Sequence, residues 1–222
     1  MACRSMADLV QRDVRGAGGM KRCRTARQEL ATHEAGHLLA IAILSDLEPG
    51  PFEWRRLAAY EIAHVEPRPS RSFDWETPSD RNLLIVRRAV VALAGGAAVA
   101  ACLAPEPSGD GATLDVIYQT LGRVDFELAH EWLTLQRYDP EQGALELEIR
   151  RLFREIATVF MTAPRRKALT QISGRILAHL EAADAACLDA ISVPALDLLD
   201  GVMLGGSHEF HLRETLAVER TS

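Results

Sequence analysis

From Ala89 to Pro105 the chain carries no charged residue. A run of that kind must be buried, either in a bilayer or in protein. At 17 residues it falls short of the roughly 20 needed to span a membrane, and it is rich in alanine and glycine, so a buried helix is expected. The helix predicted from Arg81 through Ala101 carries Leu84, Val91, Leu93 and the cluster Ala94-Gly95-Gly96-Ala97-Ala98. Glycine is costly inside a helix unless a neighbour approaches closely, so a tightly packed partner helix is expected here.

Other segments offer such partners. From Thr25, a candidate N-cap, to Ser45, the residues Leu30, His33, His37, Ile41 and Leu44 fall at helical spacing. Leu114, Ile117, Leu121 and Val124 form a further stripe, with Asp115 in the first turn of that helix. After Pro140, Leu145, Ile149, Leu152, Ile156 and Val159 make one amphipathic helix, and Leu169, Ile172, Ile176 and Leu180 make a second, most simply packed as an antiparallel pair. The stretch 49–80 differs, with five of the ten prolines and two of the three tryptophans. Within it Trp54 to Val65 fits a helix face, and Leu57 to Glu66 fits an edge strand flanked by Pro67 and Pro69. The expected fold class is mainly α, with a small β element beside the His33 helix and a C-terminal helical bundle. The expected organisation is an N-terminal arm over 1–25, a core over 26–138, and a C-terminal helical subdomain of the same domain over 139–222.

Composition removes several functions. With 25 basic and 31 acidic residues the net charge is -6, without the broad basic surface that phosphate backbones require, so no nucleic-acid partner is expected. The short basic runs Lys21 to Arg27 and Arg165 to Lys167 read as solvated faces. Cys3, Cys23, Cys102 and Cys187 lie far apart and form neither a zinc knuckle nor a disulfide framework, which suits a reducing cytoplasm. Arg4, Asp8, Arg12 and Asp13 interrupt any apolar core of an export signal, and no membrane span is expected.

The segment His33-Glu34-Ala35-Gly36-His37 carries the chemistry. Histidines four apart on a helix stand one turn above each other, so two imidazoles reach one metal ion from the same face. The intervening glutamate, Glu34, lies where it can take a proton from a water that zinc has made acidic. Leu30, Leu38 and Ile41 surround the pair with apolar surface, and Gly36 again signals a close neighbour. Catalytic zinc needs a third protein ligand. The extended pattern with glycine and a third histidine is excluded by Ala40 and Ile43. Glu53, Glu61, His64, Glu66, Asp74, Asp80, Asp110 and Asp115 all remain candidates on the residues alone.

The motif and the apolar helix end after it resemble the peptidase domain of the membrane-bound AAA zinc proteases, the M41 family. Val90 to Ala98 is similar to that family's helix with a glycine pair, and Gly111-Ala112-Thr113-Leu114-Asp115 to its Gly-Ala-x-x-Asp segment. Ile172 to Gly201 is similar to its closing helices. The resemblance implies His33, His37 and Asp115 as zinc ligands and Glu34 as the catalytic base. Ala97 and Ala100 stand where the family usually has arginine and glutamate, so contacts made by those charges are missing. The sequence shows no G-x-x-x-x-G-K-[ST] loop, so an ATP-independent zinc metalloendopeptidase is expected, without an unfolding motor. Its substrates would be peptides, unfolded chains or exposed loops, and a homo-oligomer or a separate partner protein is compatible. Two rival expectations are a stand-alone regulatory protease that cleaves one partner or repressor, and a catalytically silent binding module. His64 and His130 are weaker candidates as oxyanion stabilisers, and His179, His208 and His211 receive no role.

Overall fold

The structure is a computed structural model that describes residues 19–44, 46–58, 60–72, 74, 76–103, 123–135 and 142–204. The expected arm is therefore described only from residue 19, and the stripe Leu114 to Leu121, with Asp110 and Asp115, lies outside the described residues. In chain order the elements are α1 (Gly19–Ile43), β1 (Leu47–Arg56), β2 (Glu61–Pro69), α2 (Pro78–Leu103), α3 (Arg123–Thr134), α4 (Gln142–Met161), α5 (Ala163–Ala185), β3 (Ala190–Val193) and α6 (Ala195–Leu199). The mainly helical reading and the small β element hold.

Helix α2 is the centre of the core. By length and composition alone it is apolar enough to cross a membrane, yet most of it is buried in protein. It packs against α1, α3, α4 and α5. Pro78 opens it, a position where the missing N–H costs nothing. The close approach expected from the small residues is present. A Cβ on Gly36 of α1 would lie 2.4 Å from the Ala94 carbonyl oxygen and 2.6 Å from the Ala98 Cβ, so only glycine lets the two backbones meet.

Two boundaries differ from expectation. Helix α1 begins at Gly19, ahead of Thr25, because the intervening residues contain no helix breaker and Thr25 becomes an interior position. The chain after α5 does not continue as helices up to Gly201. Cys187, with φ 53°, turns the chain, and the β-branched Ile191 and Val193 then form β3 before Pro194 and the short α6. Helices α4 and α5 are joined at Thr162, whose extended backbone and the following Pro164 end one helix and start the next. The two do touch, but α4 leans chiefly on α2 and α5 on α1.

The sheet has the order β2-β1-β3, antiparallel throughout. This settles the ambiguous 54–65 segment as a hairpin and places the proline-containing β2 on an edge. Pro49 and Pro51 are tolerated in the central strand because β3 pairs only with Phe52 to Arg55, and a bulge resets the register between Pro49 and Phe52. Beyond the bulge Phe52 and Trp54 point inward with no exposed surface, each contributing roughly 1.5–3 kcal/mol by burial. Both β1 and β2 pack on α1. Their attachment is reinforced by ion pairs. Arg27 of α1 binds both Glu61 of β2 and Asp184 of α5, with Arg27 Nε 3.1 Å from Glu61 Oε2. Arg56 of β1 also binds Asp184 and lies 3.7 Å from Glu61.

Candidate metal centre

His33 and His37 lie one turn apart on α1, their ring centroids 4.7 Å apart and their planes at 79°. Their Nε2 atoms come within 3.0 Å of each other. The His37 Nδ1–H donates to the Val91 carbonyl of α2 at 2.7 Å; a carbonyl only accepts, so this bond fixes the tautomer and leaves the Nε2 lone pair pointing into the site.

The acidic residue brought to these nitrogens is Asp125, in the first turn of α3. Its Oδ2 lies 3.2 Å from His33 Nε2 and 3.8 Å from His37 Nε2. These three residues form a group able to hold a metal ion. Zinc held tetrahedrally at about 2.0–2.2 Å would set its donor atoms roughly 3.3–3.6 Å apart, and the observed separations of 3.0, 3.2 and 3.8 Å bracket that range.

Two further observations fit a cation. Asp125 Oδ2 and Glu34 Oε2 are buried and accept no hydrogen bond. Buried carboxylate oxygens are rarely left so, and an ion is one of the few groups that satisfies several acceptors at once. On the opposite wall stands Gly95 of α2. A Cβ there would lie 2.5 Å from His37 Nε2, 2.6 Å from His33 Nε2 and 2.7 Å from His33 Cε1, so a side chain at this position would fill the space into which the imidazoles converge.

The electrostatics follow from burial. Burial pushes the His33 pKa down to about 3, helped by the nearby His37. Burial works the same way on His37, but Asp125, Glu34 and the Val91 carbonyl outweigh it and raise its pKa above the ordinary 6.5. Burial raises Asp125 to about 6, opposed by His37 and by the Gly96 backbone. Glu34, 3% exposed, is raised by burial to about 7, a value a bound dication would pull down.

His33, Glu34 and His37 are thus brought together on one helix. Asp115 lies outside the described residues, and Asp125 was missed by sequence reasoning. The signal available was Gly122. Treated as a break, it makes Asp125 the first-turn acid of a new helix rather than a residue beyond the end of the Leu114 stripe. The other acids are engaged elsewhere. Glu61 belongs to the Arg27 cluster, Glu66 pairs with Arg68, Asp80 binds Arg71, and Asp74 accepts from Thr77 and the Glu76 backbone. Glu53 sits across from His64 in the hairpin, where His64 is exposed. His130 accompanies Thr134 of its own helix. Neither histidine belongs to the His33 group.

No protein-family profile, curated protein or solved structure matches the chain.

Proposed function

We propose that the chain is a zinc-dependent endopeptidase, M41-like at its active-site helix, that hydrolyses peptides or unfolded segments independently of ATP. The observation that carries this reading is the half-buried group His33, His37 and Asp125 beside the buried Glu34, with one oxygen of Asp125 and one of Glu34 left without a hydrogen bond. His33, His37 and Asp125 would hold the zinc. When bound, it supplies Lewis acidity to the scissile carbonyl and to the attacking water. The protein's own groups do the rest. Glu34, one residue past the first histidine, accepts the water's proton as a carboxylate, its proton affinity raised by burial, and passes it to the leaving amine. The Val91 carbonyl holds His37 in the tautomer that ligates. Burial of the cluster strengthens each of these interactions.

A casein or peptide assay on purified protein tests this, with chelator treatment and zinc restored. Activity should vanish with chelation and return with zinc, and Glu34→Gln should keep the metal while losing turnover. A Glu34→Gln protein as active as its parent would end the hydrolytic reading.

A further inference from the structure

Several described arginines meet a carboxylate within 4 Å, among them Arg27, Arg56, Arg71 and Arg87. Arg88 of α2 differs. Among the described residues it has no carboxylate at ion-pair distance and no hydrogen bond, and its Nε is buried without a partner. Its guanidinium carbon lies 5.8 Å from the centre of the Trp132 ring on α3. Burial lowers its pKa, with Glu66 opposing, and Glu66 is already 3.7 Å from Arg68. A partly desolvated guanidinium with no carboxylate at ion-pair distance is unfavourable, and contact with an aromatic face offsets only part of that cost.

Its position relates it to the metal centre. Arg88 is seven residues before Gly95, and Trp132 is seven residues after Asp125. Seven residues are nearly two turns, so each pair shares a helix face. Gly95 faces the two imidazoles, the Gly96 backbone meets Asp125, and Arg88 meets Trp132. Helices α2 and α3 therefore run antiparallel along a seam that leads from the metal ligands to Arg88, a distance of roughly 10 Å. Between the two ends, on the face of Asp125, Leu128 is 43% exposed, an apolar surface along the same path. An extended peptide advances about 3.3 Å per residue, so three residues reach from a bond cleaved at the metal to Arg88.

We propose that Arg88, set over the Trp132 ring, is a substrate subsite that binds a carboxylate about three residues from the cleaved bond. The carboxylate is that of an acidic side chain or of the peptide's C-terminus, the guanidinium offering the paired donors that a carboxylate accepts. This inference rests on the peptidase reading of the neighbouring site.

The test uses zinc-loaded full-length protein and peptides with Glu or Gln at each of three positions on either side of the cut, each made as C-terminal acid and amide. The parent should prefer the carboxylate at one position by tenfold or more in kcat/KM, chiefly through KM. Arg88→Gln should bring that ratio close to one, Arg88→Glu should invert it in favour of a Lys peptide, and Arg88→Lys should retain part of it. A preference for internal Glu marks the side chain as the source, and a preference confined to free acids marks the C-terminus. Binding of the same peptides to Glu34→Gln protein, followed by fluorescence anisotropy, reads the subsite without turnover. Cleavage by the parent with no acid preference, or with a preference unchanged in Arg88→Gln, overturns the subsite and leaves the peptidase. Selective binding that depends on Arg88, without cleavage by the parent, upholds the subsite and overturns the peptidase.

Discussion

Helix α1 contributes to two polar clusters that obey opposite rules. Near its start Arg27 joins Glu61, Arg56 and Asp184, where two guanidinium groups face two carboxylates and the charges cancel. Further along, His33, Glu34 and His37 join Asp125, where two carboxylates face two imidazoles and, among the described residues, no lysine or arginine pairs with them. The first cluster, with side chains 21–37% exposed, is complete within the chain; it fastens the sheet and α5 to α1. The second is more deeply set, with Glu34 buried and the other three side chains at most 20% exposed, and it has more acceptors than donors. Burying such a group without a counterion is unfavourable, so the fold alone gives no reason for it. The difference separates a polar cluster that is neutral in itself from one whose proposed function requires a cation from outside.

The largest expected effect falls on the second cluster's chemistry. Glu34→Gln should lower kcat by roughly 10²–10⁴-fold with zinc content unchanged, as measured by turnover and metal analysis on the same sample. Loss of zinc in that variant would merge the base with the ligands and blur the division of roles. Next comes Gly95→Ala. The new Cβ must push the ends of two imidazoles aside, and His37 would have to leave the Val91 carbonyl. The protein should still fold, because ring ends can move, but zinc affinity should fall by at least the roughly 10–100-fold seen when an outer support of a site is lost. Gly174→Ala is the control: on α5 an added Cβ meets nothing within 4 Å, so the helix should gain up to about 1 kcal/mol and keep its zinc.

Acidity should separate the clusters as well. Protons compete with zinc for His37, whose pKa is raised, and for Asp125, raised to about 6, whereas His33, at about 3, stays unprotonated across this range. Zinc affinity should therefore be full above neutral pH and weaken as pH falls, first through the His37 titration and then through about 6. A titration series between pH 8 and pH 5 would show this, and a flat profile would exclude these two groups as ligands. The smallest effect is structural. Arg27→Ala leaves Glu61 and Asp184 with Arg56 alone, and it should cost about 1–2 kcal/mol in chemical unfolding, between the values for exposed and buried pairs, without changing zinc affinity.

Much of this was legible in the sequence, for identifiable reasons. The uncharged run 89–105 and the glycines at 36 and 95 announced a central helix with a close neighbour, because burial and backbone approach leave direct marks on composition. The His33-Glu34-His37 spacing pointed to three of the four residues of the candidate site, because they lie within one helix. The hairpin was only half legible: the prolines argued against a long helix, but the bulge and the pairing with β3 depend on a strand more than 130 residues away. Asp125 was hidden for the same reason. Its approach to His33 is set by how α3 packs on α2, and no local spacing records that distance.

The central claim is that His33, His37 and Asp125 form one metal site. Calorimetric titration of chelator-stripped protein with zinc tests it most directly, comparing the parent with Asp125→Ala and Asp115→Ala. One zinc per chain is expected in the parent and in Asp115→Ala, with binding lost or severely weakened in Asp125→Ala. Stoichiometric, undiminished zinc binding by Asp125→Ala would contradict it, and loss in Asp115→Ala instead would return the third ligand to the Gly-Ala-x-x-Asp segment.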